Sequence, residues 1–188
     1  MIVRTKRLIL RELNHHDWGD VLAYQSNPIY LQYYPWAGRT EHNVREFINQ
    51  FIKRQSEDPR TKFQFAITIP GPESLIGNCG IRRENKDATI ANIGYEIAPD
   101  YWRKGYATEA ALAMVAFGFK RLKLHRIWAH CLTENLASWR VLEKIGMKRE
   151  GCLRETELIK GYWRNSYIYA ILDHEWNSNK SLTEDIIL

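Results

Sequence analysis

The segment from Gly105 to Arg121, GYATEAALAMVAFGFKR, reads as a helix that is apolar on nearly every side. Ala107, Ala110, Ala111, Met114, Val115 and Phe119 leave almost no polar face, so such a helix has to be covered by other layers. Just before it, NIGYEIAP reads as a strand, and DYWRKG joins the two. A strand that enters a helix through a glycine turn aims several backbone N–H groups at one spot, and the helix dipole adds partial positive charge there. Gly105 permits close approach of a ligand to the backbone, and Arg103 and Lys104 add two cations. The pattern fits an anion site, commonly for phosphate, and it also fits an ordinary turn with solvated cations. Neither GxxxxGK[ST] nor GxGxxG occurs, which argues against a nucleotide hydrolase.

Periodicity organises the rest of the chain. Residues 3–13 read as a first strand, and Asn14 caps a short helix carrying Val21, Leu22 and Tyr24. Residues 27–38 form an aromatic loop with two prolines. Thr40 opens a helix whose stripe is Val44, Phe47, Ile48, Phe51 and Ile52. Strands follow at 63–69, 75–83 and 89–98, the first two separated by a turn at Pro70-Gly71-Pro72. After the apolar helix come a strand at 125–131 and a helix from Asn135 to Ile145, with Gly146 as its left-handed stop. Two last strands, 150–158 and 163–172, meet at a turn near Gly161. The order β-α-α-β-β-β-α-β-α-β-β predicts a mixed α/β sheet in one domain over residues 1–176, with a polar tail at 177–188.

Composition sets limits. The 188 residues suit one domain, and 45% hydrophobic residues supply a core. Lys and Arg total 27 against 22 Asp and Glu, a net +5 that suits an anionic ligand without requiring nucleic acid. Cys79, Cys131 and Cys152 are far apart, lack a CxxC pair and read as reduced core thiols of a cytoplasmic protein. None has metal-ligand spacing with the six histidines, and no metal is expected. The start lacks a signal-peptide run, and no apolar stretch approaches the ~18 residues of a membrane span.

Several segments together resemble the GNAT superfamily of N-acetyltransferases, in the RimJ/RimL branch that acetylates ribosomal-protein N-termini. They are TKRLILREL, IGNCGI, IGYEIAPDYWRKGYATEA and LHRIWAHCLTENLASWRVLEKIGMKREGCLRE. The likeness covers roughly residues 3 to 176 and is most specific over 93–157. The family pattern Q/R-x-x-G-x-G/A reads here as Trp102 to Ala107, with Trp102 in the first place and a bulky Arg103 where the branch often has glycine. The resemblance implies a mostly antiparallel sheet with a splayed central strand pair and acetyl-CoA as co-substrate. It implies that Arg103, Lys104, Gly105, Tyr106, Ala107 and Thr108 hold the pyrophosphate. Pantetheine then pairs along Glu96 and Ile97 as an added strand. A homodimer is left open; no membrane and no direct nucleic-acid partner are implied.

Acetyl transfer needs a neutral amine, a polarised thioester carbonyl and a protonated leaving thiolate. A backbone N–H on the splayed strand can polarise the carbonyl, and Ile97, or a residue one place along, is the donor expected. The tyrosine that many members use as acid falls on Leu142, so the branch's serine, Ser138, takes that role, with Asn135 beside the pantetheine. Helix capping is the plain alternative for both. Glu157 matches the branch's base, with Glu96 as the alternative; Glu150 and Glu155 do not fit the register. Tyr30, Tyr33, Tyr34 and Trp36 fall where the family's acceptor walls lie, together with Glu96, although a packing loop explains the aromatic residues equally. His125 and His130 read as structural, and Trp163, Tyr167 and Tyr169 as sheet packing. An α-amine, with a pKa of ~8, is about one-tenth neutral at pH 7, against about one lysine in a few thousand. That favours a protein N-terminus as acceptor. A small amine such as a polyamine or an amino-sugar or peptide antibiotic is the rival, and a non-catalytic acyl-CoA sensor is a more distant one. A basic RNA- or ribosome-binding module is a third class, with no recognised RNA motif behind it.

Overall fold

The computed structural model describes residues 1–71, 74–177 and 186–188. Among these, eight strands form one sheet: β1 (Ile2–Arg4), β2 (Ile9–Glu12), β3 (Lys62–Thr68), β4 (Leu75–Arg83), β5 (Ile90–Ile97), β6 (Arg126–Leu132), β7 (Lys148–Ile159) and β8 (Tyr162–Leu172). Their spatial order is β1-β2-β3-β4-β5-β6-β8-β7. The β5–β6 pair is parallel and the others are antiparallel, as the mixed α/β reading anticipates.

Helices α1 (Trp18–Gln25), α2 (Pro28–Leu31) and α3 (Glu41–Arg54) cover one face. They enclose Val21, Tyr30, Val44, Ile48 and Phe51 against Ala66 and Leu75. The opposite face receives α4 (Tyr106–Lys120), with α5 (Leu136–Lys144) beside it; α6 (Asp173–Asn177) follows β8. Helix α4 buries nine of its residues, Ala110 to Phe119 save Leu112, which is why a face-less apolar helix is stable here. Its Phe117 ring meets Phe63 and Phe65 edge-on.

Three readings need correction. The single strand expected at 3–13 is a hairpin of β1 and β2. The Thr5 N–H donates to the Leu8 carbonyl at 3.0 Å, and Thr5 Oγ1 accepts the Leu8 N–H at 3.0 Å, so the chain reverses at 5–8. The aromatic loop contains α2, because Asn27 caps Ile29 and Pro28 fits the first helical position. Of the three cysteines, Cys79 and Cys131 are buried but Cys152 is exposed on β7, as is Trp163 on β8.

The caps follow the sequence. Thr40 and Asn43 close a reciprocal capping box at α3, and Asn14 does the same with Asp17 in the short turn before α1. Pro72 of the expected turn and residues 178–185 of the tail lie outside the described residues. Beyond them Ile187 pairs with Arg4, and Arg121 donates to the Leu188 carbonyl at 2.6 Å.

Candidate active site

Strands β5 and β6 pair only at Ile90–Arg126, Ala91–Ile127 and Asn92–Trp128. Past that point they part, while β5 keeps its register with β4 to Ile97–Gly77. The Ala98 N–H donates to the Ile76 carbonyl, so strand alternation turns the main-chain groups of Ile93, Tyr95 and Ile97 toward the gap. The result is an open cleft of ≈ 200 Å³ between the two strands.

The cleft gathers part of the expected set. Tyr33, Tyr34, Asn135, Ser138 and Glu157 all line it, although they come from three separate segments: the stretch after α2, the start of α5, and β7. Asn135 Oδ1 accepts the Ser138 N–H at 3.1 Å, so capping of α5 is real and fixes Ser138 at the cleft wall. Glu157 reaches the cleft through a bulge between Leu153 and Glu157, where Glu155 adopts φ 52°. Glu157 Oε1 accepts from Ser166 Oγ at 3.2 Å.

Other expected residues lie elsewhere. Trp36 is outside the cleft lining, packed on Tyr34 at 4.7 Å and under Arg39. Glu96 points to the opposite face of β5, as alternation from Ile97 requires. There its Oε2 accepts from Tyr24 Oη, Gln25 Nε2 and Asn78 Nδ2 at 3.0, 3.0 and 3.1 Å. The Ile97 side chain is buried, and its carbonyl accepts from Trp102 Nε1 at 2.6 Å.

Residues 103–108 lie at the same end of β5. Arg103 and Gly105 adopt left-handed φ of 61° and 83°, and no side chain caps the start of α4. The first-turn N–H groups of α4 are therefore open to an anion, unlike those of α3 and α5. This uncapped start and the unpaired edge of β5 are what a pyrophosphate and a pantetheine amide chain need.

Sequence reasoning missed two cleft residues. Tyr95 Oη donates to the Ser138 carbonyl at 2.9 Å and lies 3.2 Å from Ser138 Oγ, spanning the gap from β5 to α5. Burial pushes its pKa up, so it remains a neutral phenol. The signal was a tyrosine on the otherwise aliphatic face Ile93-x-Tyr95-x-Ile97, because a buried hydroxyl requires a partner. His130 Nε2 lies 3.7 Å from Glu157 Oε1, a position that strand alternation alone does not reveal. Cys131 also lines the cleft, its thiol pushed up to about 11 by burial. Brief iodoacetamide treatment near neutral pH is expected to label Cys152 and spare Cys79 and Cys131, checked by peptide mass mapping.

A sheet split between two parallel strands, beside an uncapped glycine-led helix, fits the coenzyme site of an acetyl-CoA-dependent N-acetyltransferase. The comparisons agree. The model of the acetyltransferase (GNAT) domain matches residues 7–148. The uncharacterized N-acetyltransferase YnaD of Bacillus subtilis is 37% identical over 94% of this chain and 100% of its own. The [ribosomal protein uS5]-alanine N-acetyltransferase of Escherichia coli is 26% identical over 94% of this chain and 93% of its own. The crystal structure of a GNAT-family acetyltransferase from Bacillus anthracis superposes with a TM-score of 0.81 at 35% identity, covering 93% of this chain and 99% of that one. The chain therefore belongs to the GNAT family of acetyltransferases, and its likeness runs to the RimJ/RimL-like branch. No helix among the described residues is long and apolar enough to cross a membrane.

Proposed function

We propose that the chain acetylates the α-amine of a protein N-terminus, of the ribosomal-protein type, by direct attack of the amine on acetyl-CoA. The single observation that carries this reading is the meeting of Ser138, Tyr95 and Glu157 in one cleft where β5 parts from β6. The N–H groups of 103–108, with Thr108 adding a hydroxyl, hold the pyrophosphate, and the freed edge of β5 takes the pantetheine as an added strand. Asn135 caps α5 and bonds the pantetheine as well.

The Ile97 N–H, fixed on the gap side of β5, polarises the thioester carbonyl. Glu157 takes the proton of the amine, directly or through water. The Ser138 hydroxyl passes a proton to the departing sulfur and regains one from solvent, into which Glu157 releases the proton of the amine; its place in the first turn of α5 favours an anion there. Tyr95 holds Ser138 in register. Tyr33 and Tyr34 form the acceptor wall, which Trp36 supports from behind through its ring contact with Tyr34.

The relative active on a ribosomal-protein alanine supports the protein acceptor, as does the lower pKa of an α-amine. One observation favours a small polycationic amine instead. The Glu96 carboxylate interacts with Tyr24 and Tyr34, and although Arg82 is near enough to feel its charge, no arginine or lysine is bonded to it among the described residues. A cation entering past Tyr34 would meet that charge.

Release of free thiol from acetyl-CoA separates the two when N-terminally free peptides, their blocked counterparts with an internal lysine, and polyamines are compared. Turnover of free peptides alone supports the proposal; turnover of polyamines alone refutes the protein acceptor. Ser138→Ala is expected to lower kcat by roughly 10²-fold with unchanged coenzyme affinity. Tyr95→Phe removes one hydrogen bond and is expected to cost about fivefold in kcat. If both variants match the parent, Ser138 is not the acid. If Ser138→Ala and Glu157→Gln both bind coenzyme A as the parent does and the parent turns over no amine, the chain is an acyl-CoA sensor.

A further inference from the structure

We propose that Arg7, on the turn between β1 and β2, is a positioning residue of the coenzyme site. It cancels the charge of Glu109 at the start of α4 and holds the 103–105 turn in shape. The inference rests on residues 103–108 being the pyrophosphate loop.

Glu109 stands in the first turn of α4, the end where an anion complements the helix dipole. A carboxylate there also repels a pyrophosphate, so an anion site with a bare Glu109 would work against itself. The structure meets that conflict from the far end of the chain. Arg7 Nε donates to Glu109 Oε2 at 2.7 Å, Arg7 Nη2 lies 2.7 Å from the same oxygen, and the Arg7 N–H donates to Oε1 at 2.8 Å. Thr5 Oγ1 adds a donation to Oε1 at 2.6 Å.

The third guanidinium nitrogen reaches the loop itself. Arg7 Nη1 donates to the Lys104 carbonyl at 2.9 Å, between the left-handed Arg103 and Gly105. The guanidinium also lies over the Tyr106 ring at 4.8 Å, and a Cβ placed on Gly105 would sit 3.2 Å from Arg7 Nη2. One planar fork thus binds a carboxylate, a loop carbonyl and a ring face at once, which a lysine cannot do. The turn at 5–8, which splits the expected first strand in two, is what brings Arg7 there.

Calorimetric titration of coenzyme A into four variants at low salt tests this. Arg7→Ala leaves Glu109 without a counter-charge, though Thr5 Oγ1 still donates to it, and is expected to weaken binding about tenfold. Glu109→Gln keeps an acceptor oxygen, loses the charge and is expected to stay within about twofold of the parent. The double variant Arg7→Ala/Glu109→Gln is expected to recover to within about threefold. In steady state, Arg7→Ala is expected to raise KM for acetyl-CoA while KM for the amine and kcat hold. A brace without an electrostatic role would make the single variants equally weak and the double no better than Arg7→Ala; that pattern overturns the proposal. Gly105→Ala reports on the loop separately. If it binds coenzyme A as the parent does, the pyrophosphate reading itself is what fails.

Discussion

Glu157→Gln is expected to cut kcat at pH 7 by about 10³-fold, within the range a positioned base supplies. The amide matches the carboxylate in shape and still accepts from Ser166 Oγ, so the bulge at 153–157 keeps its form. The residue lies on an exposed hairpin, and the melting temperature is expected to move by no more than ~2 °C, as for surface changes generally. The deficit should narrow as pH rises past the α-amine pKa of ~8, since solvent then supplies the neutral amine. With His130 only 3.7 Å from the carboxylate, His130→Ala in the same background tests whether the imidazole compensates. Activity of Glu157→Gln within threefold of the parent would remove Glu157 from the mechanism.

The second large effect concerns stability. Gly77→Ala is expected to destabilise the fold by about 3 kcal/mol or more, through overpacking against backbone that cannot retreat. A Cβ there would lie 2.1 Å from the Glu96 carbonyl oxygen and 3.0 Å from Ile97 Cα. Relief requires β4 to move from β5 beside the irregularity at Ile67–Thr68, at the far end of the stretch of β5 that stands apart from β6. For a chain of this size that corresponds to a fall in melting temperature of roughly 6–12 °C. Coenzyme affinity should fall as well, because the displaced strand is the one proposed to carry pantetheine. A melting curve like the parent's would show that β4 and β5 tolerate separation. Gly19 is the natural control, since an added Cβ there meets nothing within 4 Å.

Both arguments show where sequence and fold divide the work. Local rules anticipated most elements. The stripe of α3, its capping box at Thr40 and Asn43, and the apolar circumference of α4 each follow from residues within one turn of each other. Short-range chemistry also placed a glycine turn at Gly105, which the structure shows with a left-handed φ of 83°. The hairpin at 5–8 was missed because VRTKRLIL reads as one extended run. Its turn is made by a threonine hydroxyl and by Glu109, which is distant in sequence. The short α2 was missed because its only local signals were Asn27 and Pro28.

The candidate site was legible in pieces, chiefly through the family likeness. Ser138 and Glu157 were named from it, yet nothing in their spacing says that they face each other across one cleft. Alternation should have warned that Glu96 and Ile97 serve opposite faces of β5, and the structure places the Glu96 carboxylate among Tyr24, Gln25 and Asn78 accordingly.

The sequence by itself determined most of the strands and helices, where most of them start, and that one helix must be wholly covered, because propensity, capping and periodicity act over a few residues. Only the tertiary structure decided that β5 and β6 separate after Asn92. It also decided that Tyr95 bridges the gap and that Arg7 reaches the head of α4. Those outcomes depend on contacts between residues far apart in the chain, whose geometry is set by how two helical layers pack against one twisted sheet.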